Sequence, residues 1–296
     1  MSARGLTTIR CQTERMSAAI HNEAFFTSSD GLSLYRQSWL PQGEPRAVVM
    51  ILHGLGEHSG RYAHVATALV DAGYGVHAMD HRGHGKSDGK RAYLKSYDEF
   101  MTDLVQFRGL IEAVHRGKPL VLLGHSMGGN LAVAHALDHQ TGLSGLVLSG
   151  PALKVGDDFS AIQLKIFGLM GKLLPGVRPQ ALSADSISRD PAVVAAYRDD
   201  PLVFTGKITA GLGAALIDAM GTFPARYNEF RLPLLLMHGT EDKLTNIEGT
   251  RELESAATNA TVTAHYYGGL FHEIFNEPEQ QQVIGDLLTW LDATLE

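Results

Sequence analysis

Cysteine is almost missing from this chain: Cys11 is the single one among 296 residues. One thiol can close no disulfide within the chain and build no cysteine-based metal site. A reducing, cytoplasmic setting is the expectation that follows. A zinc-protease signature is also lacking. The chain has 14 histidines, yet none stands in a His-Glu-x-x-His pattern. His272-Glu273 begins one, but position 276 is asparagine. Basic clusters are absent too. The formal net charge is -7, and the short stretch His81, Arg82, His84 and Lys86 is interleaved with glycine and aspartate. It reads as a turn-rich loop rather than a nucleic-acid face. No apolar run approaches the length of a membrane span. Residues 1–20 hold no sustained apolar core of the kind a secretory signal needs, and they read as a loose extension. What remains is an ordinary globular composition, 44 % hydrophobic and 19 % charged. It is long enough for a large core, as one domain with an insertion or two small domains. No cofactor, no metal and no nucleic-acid partner is expected.

Apolar runs and helical patterns alternate after residue 45. Runs at 47–52, 75–79, 120–123, 143–149, 234–237 and 262–267 read as strands, and patterns at 61–72, 100–114 and 280–291 as helices. Continuous apolar strands separated by helices imply a mainly parallel sheet covered on both faces. Residues 25–27 and 32–39, split by Asp30-Gly31, read as an antiparallel hairpin at the sheet edge. Between 151 and 230 the alternation stops, and Asp-Pro pairs punctuate short helical pieces. This region is expected to be a helical cap over the carboxyl edge of the sheet, where ligands bind in open α/β sheets. The division is then an extension over 1–22, a core over 23–150 and 231–296, and a cap over 151–230. Residues 159–174 are the most apolar helical stretch. Ile162, Ile166, Leu169 and Leu173 share one face, Leu164, Phe167 and Leu174 a second, with Lys165 and Lys172 on the narrow polar side. So wide an apolar arc is either buried or laid on lipid.

The most informative segment is 120–129, LVLLGHSMGG. A strand run feeds Gly124-His125-Ser126-Met127-Gly128, and an apolar helical pattern follows. Strand, sharp turn and helix with serine at the apex is a nucleophile elbow. A serine hydroxyl needs a base to take its proton and a carboxylate to orient that base. On such a fold these follow the serine in the order acid, then histidine. Asp242, just past the run ending at Met237, is the expected acid, with Glu241 its rival. His272, between the last strand and the last helix, is the expected base. His265 competes but lies inside a strand pattern. Two backbone N–H groups should bind the oxyanion: Met127, after the nucleophile, and Leu55, in the glycine-flanked loop after the 47–52 strand. Their side chains are expected to line the pocket. His125, beside Ser126, is a candidate substrate contact.

Five blocks carry a resemblance. HGLGEHSGRY (53–62), DHRGHGKSDG (80–89), GHSMGG (124–129), HGTEDKLT (238–245) and GLFHEIFNE (269–277) resemble, in order and spacing, the α/β-hydrolase family of monoacylglycerol lipases and related lysophospholipases. The likeness runs from about Glu23 to the C-terminus. It implies an α/β-hydrolase fold, a mainly parallel eight-stranded sheet with a helical cap, and hydrolysis of monoacylglycerols through an acyl-enzyme. It also implies that Glu57 and Arg61 lie near the glycerol end of the pocket, with Tyr197 of the cap on the polar head. A helix-start charge pair is the structural alternative for Glu57 and Arg61, and packing is the alternative for Tyr197. Transient contact of the cap with a membrane surface is a further implication. The extra cysteines of vertebrate members are absent, so thiol regulation does not carry over. Lysophospholipase, short-chain carboxylesterase, thioesterase and serine peptidase are the rival activities. A catalytically inactive binding module is the rival outside enzymes, and the presence of all three triad residue types argues against it.

Overall fold

The computed structural model describes residues 19–155, 168–179 and 183–295. Among these, eight strands form one sheet in the order β1-β2-β4-β3-β5-β6-β7-β8. Strands β1 (Ile20–Thr27) and β2 (Ser33–Leu40) pair antiparallel, and β2 runs antiparallel to β4 (Gly75–Met79). From β4 outward every pairing is parallel, through β3 (Val48–Leu52), β5 (Leu120–His125), β6 (Gly145–Ser149), β7 (Leu234–Gly239) and β8 (Val262–Tyr267). The edge hairpin starts earlier than its sequence pattern indicates. Residues 20–22, expected in the loose extension, are strand, with Ile20 opposite Leu40. The His21 ring stacks on Trp39 at 5.1 Å, and its Nε2 lies 3.0 Å from Gln37 Oε1. These cross-strand contacts hold a segment that has no apolar pattern of its own.

The continuous apolar runs have a simple cause: both faces of the sheet are covered. Val48, Met50, Leu52, Leu120, Leu122, Leu146, Leu148, Leu234 and Leu236 enter one core cluster. They pack with Phe100, Leu104 and Phe107 of helix α2 (Tyr97–Val114) and Leu131 and Val133 of helix α3 (Met127–Asp138). The intervening residues Val49, Ile51, Val121, Leu123, Val147, Leu235 and Met237 enter a second cluster. There they meet Val65 and Leu69 of α1 (Ala63–Asp71) and Val283, Leu287 and Leu291 of the C-terminal helix. Period-two side chains buried on both faces leave no polar positions. Each such side chain contributes roughly 1.5–3 kcal/mol by leaving water.

Between β6 and β7 no strand occurs among the described residues. A 3-10 turn (Ala184–Ser186) precedes α4 (Pro191–Asp199), α5 (Ala210–Thr222) and a second 3-10 turn (Pro224–Glu229). Asp190 caps α4 by accepting from the Ala192 N–H, with Pro191 in the first turn, which explains the Asp-Pro punctuation. The stretch divides in its packing. Leu212, Leu216, Phe223, Tyr227 and Phe230 join the core on the α2 and α3 side. Around α4 the buried apolar residues are Ile187, Val194 and Tyr197, a small separate cluster. Of the apolar stretch 159–174, Ile162, Leu164, Lys165, Ile166 and Phe167 lie outside the described residues. Residues 168–173 are helical, with Leu169 and Leu173 57 % and 69 % exposed. Among the described residues no helix is long and apolar enough to cross a membrane. The chain closes with α6 (Ile247–Ala256) and α7 (Gln280–Thr294).

Of the basic stretch after β4, His81, Arg82 and His84 are internal and Lys86 is exposed. Arg82 Nε donates to Asp103 Oδ2 at 2.6 Å and Nη1 to Asp30 Oδ2 at 2.9 Å, while His81 and His84 are buried.

Candidate active site

Ser126 is the single residue between β5 and α3. Its backbone sits at φ 54°, ψ −117°, a conformation that costs a residue with a side chain about 1–3 kcal/mol. Surrounding contacts impose it. The Ser126 N–H donates to Ser149 O at 3.0 Å, and Ser126 O accepts from Asn130 N at 3.1 Å and Ala152 N at 3.0 Å. The glycines of the pentapeptide are required for space. A Cβ on Gly124 would fall 2.4 Å from Gly128 O, and one on Gly128 would fall 2.1 Å from Leu52 O. Strand, elbow and helix therefore approach closer than any side chain permits.

Asp242 lies in the loop after β7, and His272 in the loop after β8. His272 Nδ1 is 2.7 Å from Asp242 Oδ2. The rivals are elsewhere: Glu241 is exposed, and His265 stays in β8, 4.0 Å from Asp286. Burial pushes the His272 imidazole down, but the Asp242 charge and hydrogen bond outweigh it, and the net shift is upward. Burial likewise raises Asp242, and His272 and His238 together hold its carboxyl far below the usual range. The pair is thus an anion with a histidine whose protonated form is favoured. With Nδ1–H donated to Asp242, His272 presents Nε2 to the pocket. Ser126 and His272 line that pocket together with Leu55, Glu57, His125 and Tyr197. Within the described residues no hydrogen bond joins Ser126 Oγ to His272. Catalytic hydrogen bonds commonly tighten only once substrate is bound.

The loop after β3 is clamped on both sides of one residue, Gly54. Gly54 N–H donates to Glu57 Oε1 at 2.6 Å, and Gly54 O lies 2.7 Å from His53 Nδ1. His53 Nε2 accepts from the His81 N–H at 3.0 Å, so Nδ1 carries the proton and donates to Gly54 O. The carbonyl of Gly54 and the N–H of Leu55 belong to one trans peptide and point in opposite directions. Pinning the first therefore aims the second. Met127 is the first residue of α3, where helical N–H groups have no partner in the preceding turn and the helix dipole is positive. Leu55 lines the pocket as expected, but Met127 does not: its side chain is 1 % exposed and packs in the α2–α3 core.

Beside this centre is a buried ionic cluster. Arg61 Nη1 donates to Glu57 Oε2 at 2.8 Å and to Glu273 Oε1 at 2.6 Å, and Nη2 to Glu273 Oε2 at 2.7 Å. The Arg61 guanidinium lies 4.7 Å from the centroid of the Tyr197 ring. Glu57 Oε1 also accepts from Tyr62 Oη at 2.7 Å. Burial alone would raise Glu273, but Arg61 holds its carboxyl below the usual range. Glu57 and Tyr197 face the pocket, whereas Arg61 stands behind them and is absent from its lining. Glu57 and Arg61, for which a helix-start charge pair was the structural alternative, are therefore part of a bridge between three segments. Glu273 was not among the sequence candidates, and its only signal is adjacency to His272. His125 packs its ring 4.6 Å from that of His272, and burial together with this neighbour lowers it to about 4.

The arrangement can transfer an acyl group, as comparisons with known proteins also indicate. The family described as serine aminopeptidase, S33, matches residues 43–279. A monoacylglycerol lipase of Mycolicibacterium smegmatis is 41 % identical over 280 residues, covering 95 % of this chain and 100 % of that one. The crystal structure of Paleococcus ferrophilus monoacylglycerol lipase superposes with a TM-score of 0.77 at 33 % identity, over 88 % of this chain and 99 % of the other. A thermostable carboxyl esterase from Bacillus coagulans, solved with glycerol, superposes with a TM-score of 0.81 at 25 % identity, over 93 % and 99 %.

Proposed function

The chain belongs to the serine aminopeptidase S33 family of hydrolases, and from that premise we propose that it cleaves monoacylglycerols to glycerol and free fatty acid through an acyl-enzyme on Ser126. The observation that carries the chemistry is the 2.7 Å contact of His272 with Asp242, with His272 and Ser126 lining one pocket. The substrate class is supported by full-length similarity to a monoacylglycerol lipase.

In this mechanism His272 Nε2 takes the Ser126 proton as Oγ attacks the ester carbonyl. Asp242 stabilises the imidazolium and fixes its orientation without accepting the proton. The carbonyl oxygen becomes an oxyanion between the Leu55 and Met127 N–H groups, each such donor being worth roughly 100- to 1,000-fold in turnover. The tetrahedral adduct collapses, and the C–O bond to glycerol breaks. His272 returns its proton to the leaving alkoxide. Water, deprotonated by the same His272, attacks the acyl-enzyme and releases the fatty acid and Ser126. In this proposal Glu57, His125 and Tyr197, which line the pocket, meet the glycerol hydroxyls. Arg61 acts from behind by holding Glu57 and Tyr197 in position. The cap proposed over 151–230 contributes Ser183, Ile187, Tyr197 and Phe204 to the wall of the pocket.

Covalent labelling by a fluorophosphonate, mapped by peptide mass spectrometry, tests the chemistry: modification at Ser126 is expected, and its absence sinks the proposal. Relative kcat/KM for monoacylglycerols, lysophospholipids and p-nitrophenyl esters of graded length tests the substrate. A clear preference for short p-nitrophenyl esters would favour the second reading, a carboxylesterase, which the likeness to the Bacillus coagulans enzyme supports. Leu169, Leu173 and Leu174, 57 %, 69 % and 58 % exposed, form the surface proposed to touch lipid transiently. Liposome flotation should weaken in Leu173→Asp; equal flotation of both proteins would remove this contact.

A further inference from the structure

The Asp242 carboxylate accepts from more groups than a triad requires. Oδ1 receives the backbone N–H groups of Leu244 at 2.8 Å and Thr245 at 3.0 Å. Oδ2 lies 2.7 Å from His272 Nδ1, 2.8 Å from Thr245 Oγ1 and 3.2 Å from His238 Nε2. His238 is on β7, and its side chain is fully buried. On the far side of its ring, Nδ1 is 2.8 Å from Thr250 Oγ1, on α6. A carboxylate can only accept, so His238 must carry a proton on Nε2; otherwise a lone pair would face an anion. Nδ1 is then an acceptor, and the Thr250 hydroxyl donates into it. The tautomer is fixed from both ends, along the path Thr250 to His238 to Asp242.

We propose that His238 is a positioning residue for the reaction, a second imidazole on the triad carboxylate that, oriented by Thr250, holds Oδ2 toward His272 and takes up part of its negative charge. This rests on the assignment of Asp242 and His272 to the triad. Its consequence concerns how strongly His272 holds a proton. The groups facing His272 are Asp242 from the loop after β7, His125 from β5, Glu57 from the loop after β3 and Glu273 beside it, with Arg61 paired to both glutamates. Asp242 is the one in direct hydrogen bond, and His238 is the one that draws charge from Asp242 on the opposite side. Without His238, the Oδ2 charge falls more fully on His272. Its imidazolium is then stabilised, and the acidic limb of kcat/KM moves to higher pH.

The test is the pH profile of kcat/KM on one ester substrate for wild type, His238→Phe, His238→Gln, Thr250→Val and Asp242→Asn. In His238→Phe the limb should rise by roughly half a unit to one unit, a fraction of what one hydrogen bond to a charged group is worth because the effect reaches His272 through Asp242. Thr250→Val, nearly isosteric, should move it the same way by less. His238→Gln retains an N–H at the same reach and should restore the wild-type profile. A purely structural role would lower kcat/KM at every pH and leave the limb in place. An unmoved or lowered limb in Thr250→Val, and in His238→Phe where it folds, overturns the proposal. Failure of the underlying triad looks different: Asp242→Asn would then keep wild-type activity, which tells against the triad rather than against His238.

Discussion

The parallel sheet and the insertion between β6 and β7 are held by different physics. In the sheet, strands β3, β4, β5, β6 and β7 are buried along their whole length, and their ends carry Leu55, Ser126 and Asp242. Around α4 the insertion buries three apolar side chains and otherwise relies on polar ties. Phe204 N–H donates to Gly56 O at 2.7 Å, Glu273 N–H to Ile187 O at 2.7 Å, and His58 Nε2 lies 2.9 Å from Asp200 Oδ2. Two of these ties land beside Leu55 and His272. The rigid layer thus carries the groups proposed to make and break bonds. The segment with little apolar anchoring carries pocket walls such as Tyr197 and Phe204. Segments of low local stability are where binding loops are commonly found.

The contrast can be broken at several points, beginning with the largest effect. Ser126→Ala should lower kcat by roughly 10⁴- to 10⁶-fold while leaving the melting temperature no lower than wild type; retained turnover would mean the sheet does not carry the nucleophile. Leu122→Ala, in the middle of β5, should cost about 2–5 kcal/mol in urea unfolding. A loss under about 1 kcal/mol would show that the core tolerates a cavity as the insertion should. The pH profile sharpens the comparison at the site itself. His272 is shifted up from its ordinary 6.5, so the active, unprotonated base is present above that raised value and lost as pH falls through it. The acidic limb of kcat/KM should therefore lie above 6.5 rather than below, a tenfold loss for each unit of pH beyond it. A limb below that value would mean burial outweighs Asp242. Asp200→Asn, at a tie of the insertion with a partly exposed side chain, should change global stability by at most about 1 kcal/mol. Its effect belongs in KM, and a change in kcat alone would place the insertion among the chemical groups.

What the sequence made legible follows the same divide. Period-two burial on two faces leaves an unbroken apolar run, so β3, β5, β6 and β7 could be read within a residue or two. Ser126 was legible because its glycines answer a local demand for space, and Asp242 and His272 because each follows a strand. Tertiary pairing was not legible. Ile20 to Asn22 have no apolar alternation and are strand only because Leu40, Trp39 and Ser38 lie opposite. Met127 was expected in the pocket, but the first turn of α3 directs its side chain into the core. Glu273 and His238 looked like ordinary neighbours of more conspicuous residues. Their roles arise from partners 212 positions away, Arg61 to Glu273, or from the far side of a shared carboxylate.

The backbone at Ser126 has one further consequence, for anyone selecting this protein for heat resistance. Glycine adopts φ 54° without penalty, so Ser126→Gly relieves the local strain while removing the Oγ. Selection on melting temperature alone would enrich that variant and, with it, an inactive enzyme. On the proposed mechanism a more stable variant and the working enzyme differ at the same position, and a thermostability screen has to read turnover alongside survival.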